Sequence, residues 1–301
     1  MKRSTKIFIA VALIMLAAGI ILFAGGAISV GFNFKELTGT LAEQTYVIDE
    51  SFDNIQMNGD VCGFRIARSE DGTCRVVIKQ LDRLDYSSEV INGTLTVRET
   101  DNRKWYERIG IFTGISEAVV YLPEDEYAGV TAESDVGYVT VEGGFTFDRV
   151  TLKSDTGKIS VNGVKVGALD AEASTGAVVI EKVHASGGIT TDVSTGRTVI
   201  SSVECMSLDV ESDTGRVRLA NVLVEGDMRV ENDTGNVILE DCDAAAMRIT
   251  TDTGDVRGTV LSDKIFYARS DTGKVRVPKA TTGGLCEIET DTGDIEIEIK
   301  K

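Results

Sequence analysis

A four-residue motif recurs nine times between Ser134 and Gly293, always 19 or 20 residues from the next copy. It reads S-D-V-G at Ser134–Gly137, S-D-T-G at Ser154–Gly157, A-S-T-G at Ala173–Gly176 and V-S-T-G at Val193–Gly196. It continues as S-D-T-G at Ser212–Gly215, N-D-T-G at Asn232–Gly235, T-D-T-G at Thr251–Gly254, S-D-T-G at Ser270–Gly273 and T-D-T-G at Thr290–Gly293. A fixed period of this length specifies a solenoid, in which a repeat buries its apolar face only by stacking on its neighbours. The fold class expected is therefore all-β, a single-stranded β-solenoid of about nine rungs.

Aligned on the glycine, the residue seven places earlier is apolar in every copy: Val130, Val150, Leu169, Ile189, Leu208, Met228, Met247, Phe266 and Cys286. Two places after it stand Val139, Ile159, Val178, Thr198, Val217, Val237, Val256, Val275 and Ile295. Charged residues fill the places between. Alternation of this kind marks a strand with one buried face. Each repeat reads as two short strands joined by the D-T-G corner. Coils stack at about 4.8 Å, so nine of them make a rod roughly 40 Å long.

An Asp side chain at such a corner can accept from the N–H two residues on, an Asx-turn, and glycine then takes a positive φ at little cost. Asp135, Asp155, Asp213, Asp233, Asp252, Asp271 and Asp291 would stack as a ladder. Lys158, Arg197, Arg216 and Lys274 follow their glycines and are placed to offset part of that charge, whereas Asp255 and Asp294 add to it. Oxygen ligands in a column are a weak candidate site for calcium. The glycine-rich nonapeptide of calcium-binding solenoids is missing, and no cofactor is expected.

Four segments follow from composition: 1–30, 31–44, 45–126 and 127–301. Lys2, Arg3 and Lys6 precede an uncharged apolar run from Ile7 to Val30, long enough to span a bilayer as a helix. The positive flank predicts a cytoplasmic N-terminus and an extracellular C-terminal domain, a single-pass cell-membrane protein. Residues 31–44 read as a linker and 45–126 as a non-repeating β region that caps the rod. Within it, Asn92-Gly93 signals a hairpin. The final strand Ile295–Lys301 carries charges suited to a terminal edge.

The apolar anchor, the F-x-x-I of Phe52–Ile55, Trp105-Tyr106, Tyr121-Leu122-Pro123 and the S-D-T-G coils together resemble the LiaG-like putative adhesin family, found mainly in Gram-positive bacteria. The resemblance covers nearly the whole chain. It implies a cell-surface β-solenoid, often in an envelope-stress context, and brings no catalytic residues with it.

D-T-G is also the active-site tripeptide of aspartic proteases, where two carboxylates face each other and share a proton. Here charged residues follow the glycine, and nine evenly spaced corners would lie side by side in one column. Carbohydrate-active solenoids wall their clefts with long loops, for which uniform spacing leaves no room. No enzymatic activity is expected. The five cysteines show no zinc spacing. Cys242 and Cys286 fall on core positions, while Cys62 and Cys74 flank an expected hairpin and an extracellular location would permit a disulfide. His184, the only histidine, is expected at a solvent-facing corner.

Trp105, Tyr106 and Phe112 are either core or cap residues or, if exposed, a partner surface. A net charge of −17 repels nucleic acid and anionic headgroups. Cell-wall polymer, glycan or surface protein remain as partners beside the membrane. The function expected is a binding or scaffold module at the envelope. The alternatives are an accessory regulator of an envelope-stress response and, more remotely, a carbohydrate-active enzyme.

Overall fold

The computed structural model describes residues 3–29, 41–81, 84–100, 116–123 and 125–300. Helix α1 (Arg3–Ser29) comes first. The strands before the first motif copy are β1 (Leu41–Val47), β2 (Asn54–Gly59), β3 (Cys62–Arg68), β4 (Arg75–Leu81), β5 (Asp85–Ile91), β6 (Thr94–Thr100) and β7 (Ser116–Leu122). The repeats supply β8 (Glu126–Val136), β9 (Val139–Glu142), β10 (Thr146–Asn162), β11 (Lys165–Glu181), β12 (His184–Thr234) and β13 (Val237–Thr253). The chain closes with β14 (Val256–Val260), β15 (Lys264–Thr272), β16 (Val275–Arg276), β17 (Gly284–Thr292) and β18 (Ile295–Ile299).

The repeats stack in parallel and in register. Leu152 pairs with Ala171 and Gly157 with Gly176; Ala171 then pairs with Thr191 and Gly176 with Gly196. The alternation read from sequence becomes one continuous core. Val150, Leu169, Ile189, Leu208, Met228 and Met247 form a buried file, none more than 2% exposed. Each such side chain contributes about 1.5–3 kcal/mol relative to exposure. The corner differs from the expected turn between two short strands. β10, β11 and β12 run straight through their D-T-G or S-T-G segments, so the corner is a bend inside an unbroken ladder.

Both ends depart from sequential stacking, and the number of layers exceeds the nine motif copies. Near the N-terminus, β2 pairs with β8 (Ile55 with Val130, Met57 with Ala132) and β3 with β9 (Phe64 with Val139). Residues 54–68 are thus a layer of the rod. A further layer lies outside it, with β6 on β2 and β7 on β3. The region expected to be non-repeating supplies two layers of its own. Antiparallel strands then cover that end: β5 on β6, β4 on β7 and β1 on β4. The β5–β6 hairpin turns on Asn92 and Gly93, with φ of 50° and 75°, as a two-residue primed turn requires.

At the C-terminal end the order is also exchanged. β17 pairs with β13 on one side and β15 on the other, and β18 lies between β14 and β16. The last motif copy therefore sits inside, and β15 with β16 forms the terminal edge that the sequence reading gave to Ile295–Lys301. The cause lies in the strands. Ile295 and Ile297 bury fully, at 0% and 3% exposure. β16 is only two residues long and runs into Val277-Pro278, and proline is tolerated in a sheet only at an edge.

Lys264 locks this exchange. It is buried in the outermost layer beside Gly284, which has no side chain to block it. Its Nζ reaches Asp243 Oδ1 at 2.5 Å and donates to Ala244 O and Ser262 Oγ at 2.8 Å each. Asp243 and Ala244 belong to the layer beyond β17, so the side chain spans the inserted strand.

All five cysteines are free. Cys62 pairs with Ser116 at the start of β7, whereas Arg75, next to Cys74, pairs with Tyr121 near its end. β7 thus separates β3 from β4, which do not form the expected hairpin. Cys74 lies one place beyond Arg75, so six residues of β7 part the two positions along the strand, about 20 Å, beyond disulfide reach. The Asx-turn expected at the D-T-G corners occurs instead between β3 and β4. Asp71 Oδ1 accepts from Ser69 Oγ, Thr73 Oγ1 and the Thr73 N–H, which hold its carboxyl well below the usual range.

Candidate binding faces of the rod

The glycine of the corner is set by its neighbour's backbone. A Cβ built on Gly157 would lie 1.6 Å from Gly137 O; on Gly196, 1.5 Å from Gly176 O; on Gly215, 1.4 Å from Gly196 O. No side chain fits at those distances. The first residue of the motif has the second structural role. It is buried or half-buried, and in four copies its hydroxyl donates to the carbonyl of the adjacent layer: Ser134 Oγ to Cys62 O at 2.7 Å, Ser154 Oγ to Gly137 O at 3.2 Å, Ser270 Oγ to Gly293 O at 2.8 Å and Thr290 Oγ1 to Gly254 O at 3.1 Å. A buried carbonyl left unpaired costs about 1–3 kcal/mol, so these donors support their own corners, while the copies with Ala173 and Val193 do without one.

The aspartates point outward. Asp135, Asp155, Asp213, Asp233, Asp252, Asp271 and Asp291 are all exposed, and Ser174 and Ser194 interrupt their column. Among the described residues, no three acidic, histidine or cysteine side chains converge as metal ligands would. At this corner a layer offers at most one carboxylate of the column to solvent. Repulsion is nevertheless felt beside the column: burial, then Glu172 and Asp213, raise the pKa of Asp192.

The position after the glycine behaves differently from the expectation. Asn236 Oδ1 accepts from the Asp255 N–H at 3.0 Å, Asp255 Oδ1 from the Asp294 N–H at 2.8 Å, and Asp294 Oδ1 from the Lys274 N–H at 2.8 Å. Asp255 and Asp294 are thus compensated by backbone donors of the next layer rather than adding unrelieved charge. This chain of bonds also follows the exchanged layer order.

The flat faces carry ion pairs between adjacent layers. Arg149 Nη1 lies 2.7 Å from Asp170 Oδ2, Lys153 Nζ 2.7 Å from Glu172 Oε1 and Arg218 Nη2 2.6 Å from Glu240 Oε2. These exposed pairs contribute little to stability, about 0–1 kcal/mol each. They place charges of both signs on the outer faces of the rod.

The opposite corner has its own column. Lys182, Ser202, Asn221 and Asp241 have φ between 53° and 56°, a left-handed conformation that asparagine and aspartate tolerate best. Beside it runs a shallow groove of about 500 Å³, lined by Val183, His184, Glu204 and Leu223 among others. His184 is exposed as expected, with Nδ1 3.3 Å from Glu204 Oε2. Met206 and Leu223 are exposed there too, and strand alternation gives no signal for them because the chain is turning.

Trp105, Tyr106 and Phe112 lie outside the described residues. The flanking strands β6 and β7 end and begin, respectively, at the corner where other layers carry the motif. Near that corner, Tyr138 Oη donates to Glu117 Oε1, which also meets Arg65 Nη2 at 3.0 Å. Burial, then Glu117, pushes the Tyr138 hydroxyl up to about 12.

Helix α1 exposes Leu13, Ile14, Leu22 and Phe23, and nothing in the strand layers covers them. Its described side chains are residues 9 and 11–25, and within the described residues no helix is long and apolar enough to cross a membrane.

A protein-family model described as Toastrack DUF4097 matches residues 52–239 and 191–301. No curated protein matches the chain. Among solved structures, a putative adhesin from Parabacteroides distasonis is 17% identical with a TM-score of 0.52, over 86% of this chain and 98% of that one. A putative adhesin from Bacteroides fragilis is 12% identical (TM-score 0.37, 86% and 97% covered). A putative lipid binding protein from P. distasonis is 13% identical (TM-score 0.45, 86% and 98% covered). At these identities the first likeness speaks to the fold alone, and the other two carry no argument.

Proposed function

We infer that this chain, which belongs to the Toastrack DUF4097 family, is a non-enzymatic binding or scaffold module displayed at the bacterial cell envelope, of the LiaG-like adhesin kind. The observation that carries this reading is the evenness of the rod. The repeats keep to 19 or 20 residues, the corner glycine and the residue three places before it hold layers together, and exposed ion pairs bridge adjacent layers on the outer faces. Such faces suit extended or repetitive partners, as other solenoids do. Wall polymer, glycan and surface protein are the partner classes proposed.

The uncharged run from Ile7 to Val30, with Lys2, Arg3 and Lys6 before it, is proposed as the anchor. Exposed apolar side chains on α1 support this. The full chain is expected to stay with membranes through alkaline carbonate washing; release into the supernatant would end the anchored reading.

The binding reading is tested by co-sedimenting residues 33–301 with isolated Gram-positive cell walls, in calcium and in chelator. Saturable binding is expected. Binding lost in chelator would give the aspartate column a role as a cation bridge. An absence of binding in both conditions refutes the wall-polymer reading and favours an accessory role in an envelope-stress response.

A further inference from the structure

The two ends of the rod are finished differently. Antiparallel strands cover the N-terminal end, whereas β15 and β16 have a strand partner on one side only among the described residues. The core is correspondingly unfinished there. Val275 is 40% exposed, while its counterparts Val256 and Ile295 are at 0%. Phe266, Ala268 and Val277 are only partly buried, and Tyr267 is 69% exposed. A groove of about 1020 Å³ adjoins this edge, with Arg276, Val277 and Pro278 on one wall and Ile297 and Ile299 on the other.

Charge says what would cover it. On a chain of net charge −17, residues 264–279 carry Lys264, Arg269, Lys274, Arg276 and Lys279 against Asp271 alone. The strands on their covered side are the reverse: residues 284–299 hold six acidic residues and no basic one. The register brings Tyr267 beside Glu287, Arg269 beside Glu289 and Arg276 beside Glu296, and Arg276 Nη1 meets Glu296 Oε1 at 3.2 Å. In a ladder each side chain stands between two neighbours about 4.8 Å away on either side. Arg269 and Arg276 have an acidic neighbour on one side and an open place on the other, whereas Lys264 is turned inward onto Asp243.

We propose that the C-terminal edge of the rod binds an acidic, alternately apolar strand of a partner protein by β-augmentation along β15. Main-chain hydrogen bonds would supply affinity and the alternate side chains specificity. The apolar positions would complete the core file over Phe266 and Ala268, and the acidic ones would meet Arg269 and Lys274. A second copy of this chain is disfavoured, because edge-to-edge docking sets the same basic residues against each other. This deepens the binding-module reading and rests on it. The two fail separately, since wall sedimentation reads the whole rod and the following titration reads this edge.

The probe is a fluorescent peptide with the sequence of residues 284–299, carrying C286S, titrated into the full chain in detergent and followed by anisotropy. Saturable binding is expected, at least tenfold tighter than for a scrambled peptide and weakened by salt. The variant R269E/K274E changes two exposed side chains and should lose at least tenfold in affinity with unchanged thermal unfolding; R269Q/K274Q serves if the reversal disturbs folding. Equal binding of native and scrambled peptides, or binding indifferent to both variants, overturns the proposal. So does a stable dimer of the full chain that R269E/K274E dissolves, because a second copy would then own the edge.

Discussion

One corner separates architecture from chemistry in three substitutions. At Ser154-Asp155-Thr156-Gly157, Gly157→Ala places a Cβ 1.6 Å from Gly137 O. Reaching even 3.0 Å requires the carbonyl to retreat by about 1.4 Å, roughly a third of the ~4.8 Å layer spacing. That movement breaks the Gly137 N–H to Thr156 O bond, 3.0 Å long, and the bond that Ser154 Oγ donates to the Gly137 carbonyl. Two hydrogen bonds at about 1 kcal/mol each, with added strain from overpacking of about 1–3 kcal/mol, give a loss near 3–5 kcal/mol. Ser154→Ala removes the buried donor alone and should cost about 1–2 kcal/mol. Asp155→Asn changes an exposed group and should stay within about 0.5 kcal/mol. Urea unfolding of the three variants, read by circular dichroism, checks the order Gly157, Ser154, Asp155. An Asp155→Asn loss larger than that of Ser154→Ala, or a Gly157→Ala loss below about 1 kcal/mol, would refute the structural reading of the motif.

Other outcomes follow from the ends and the core. Lys264→Ala strands the partly buried Asp243 carboxylate and should cost about 3 kcal/mol. Hydrogen exchange should localise the loosening to residues 264–299, and uniform loosening of the rod would count against the lock. The thiols of Cys242 and Cys286 are pushed up by burial to about 11 and about 12. Below the unfolded value of about 8.5 their contribution is complete. As pH rises above it the unfolded state loses protons that the folded state keeps, so stability falls toward pH 11–12 by about 1.4 kcal/mol per thiol per pH unit. Cys242→Ala should shallow that alkaline slope in urea titrations, and an unchanged slope would show that the thiol is not protected.

Strand alternation was enough to place the core file, because one buried face repeats at fixed offsets from each glycine. Leu169, Ile189, Leu208 and Met228 fall inside as that pattern requires. The same rule missed the layer at 54–68. Its corner reads Gly59-Asp60-Val61-Cys62, with cysteine standing where the glycine column calls for glycine, so the motif is unrecognisable though Asp60 keeps its place. The exchange at the C-terminal end is a non-local choice that no periodicity encodes. Its trace in the sequence is Pro278 after a very short strand, together with a lysine at an inward position. The role of the motif's first residue was hidden for a different reason. Serine, threonine and asparagine look like surface residues until the neighbouring layer supplies the carbonyl they cap. Exposed Met206 and Leu223 lie at a corner, where period-two reasoning has no purchase.

The exchanged C-terminal layers underlie the lysine lock and the open basic edge alike, and cysteine cross-linking tests them directly. Thr250 faces Glu289 in the observed register, whereas sequential stacking would set Thr250 beside Arg269. Adjacent parallel residues lie within disulfide reach. Under mild oxidation T250C/E289C should form an intramolecular bridge in high yield and T250C/R269C should not. Efficient bridging of T250C/R269C, with none for T250C/E289C, would contradict the layer order and remove the edge on which the partner proposal stands.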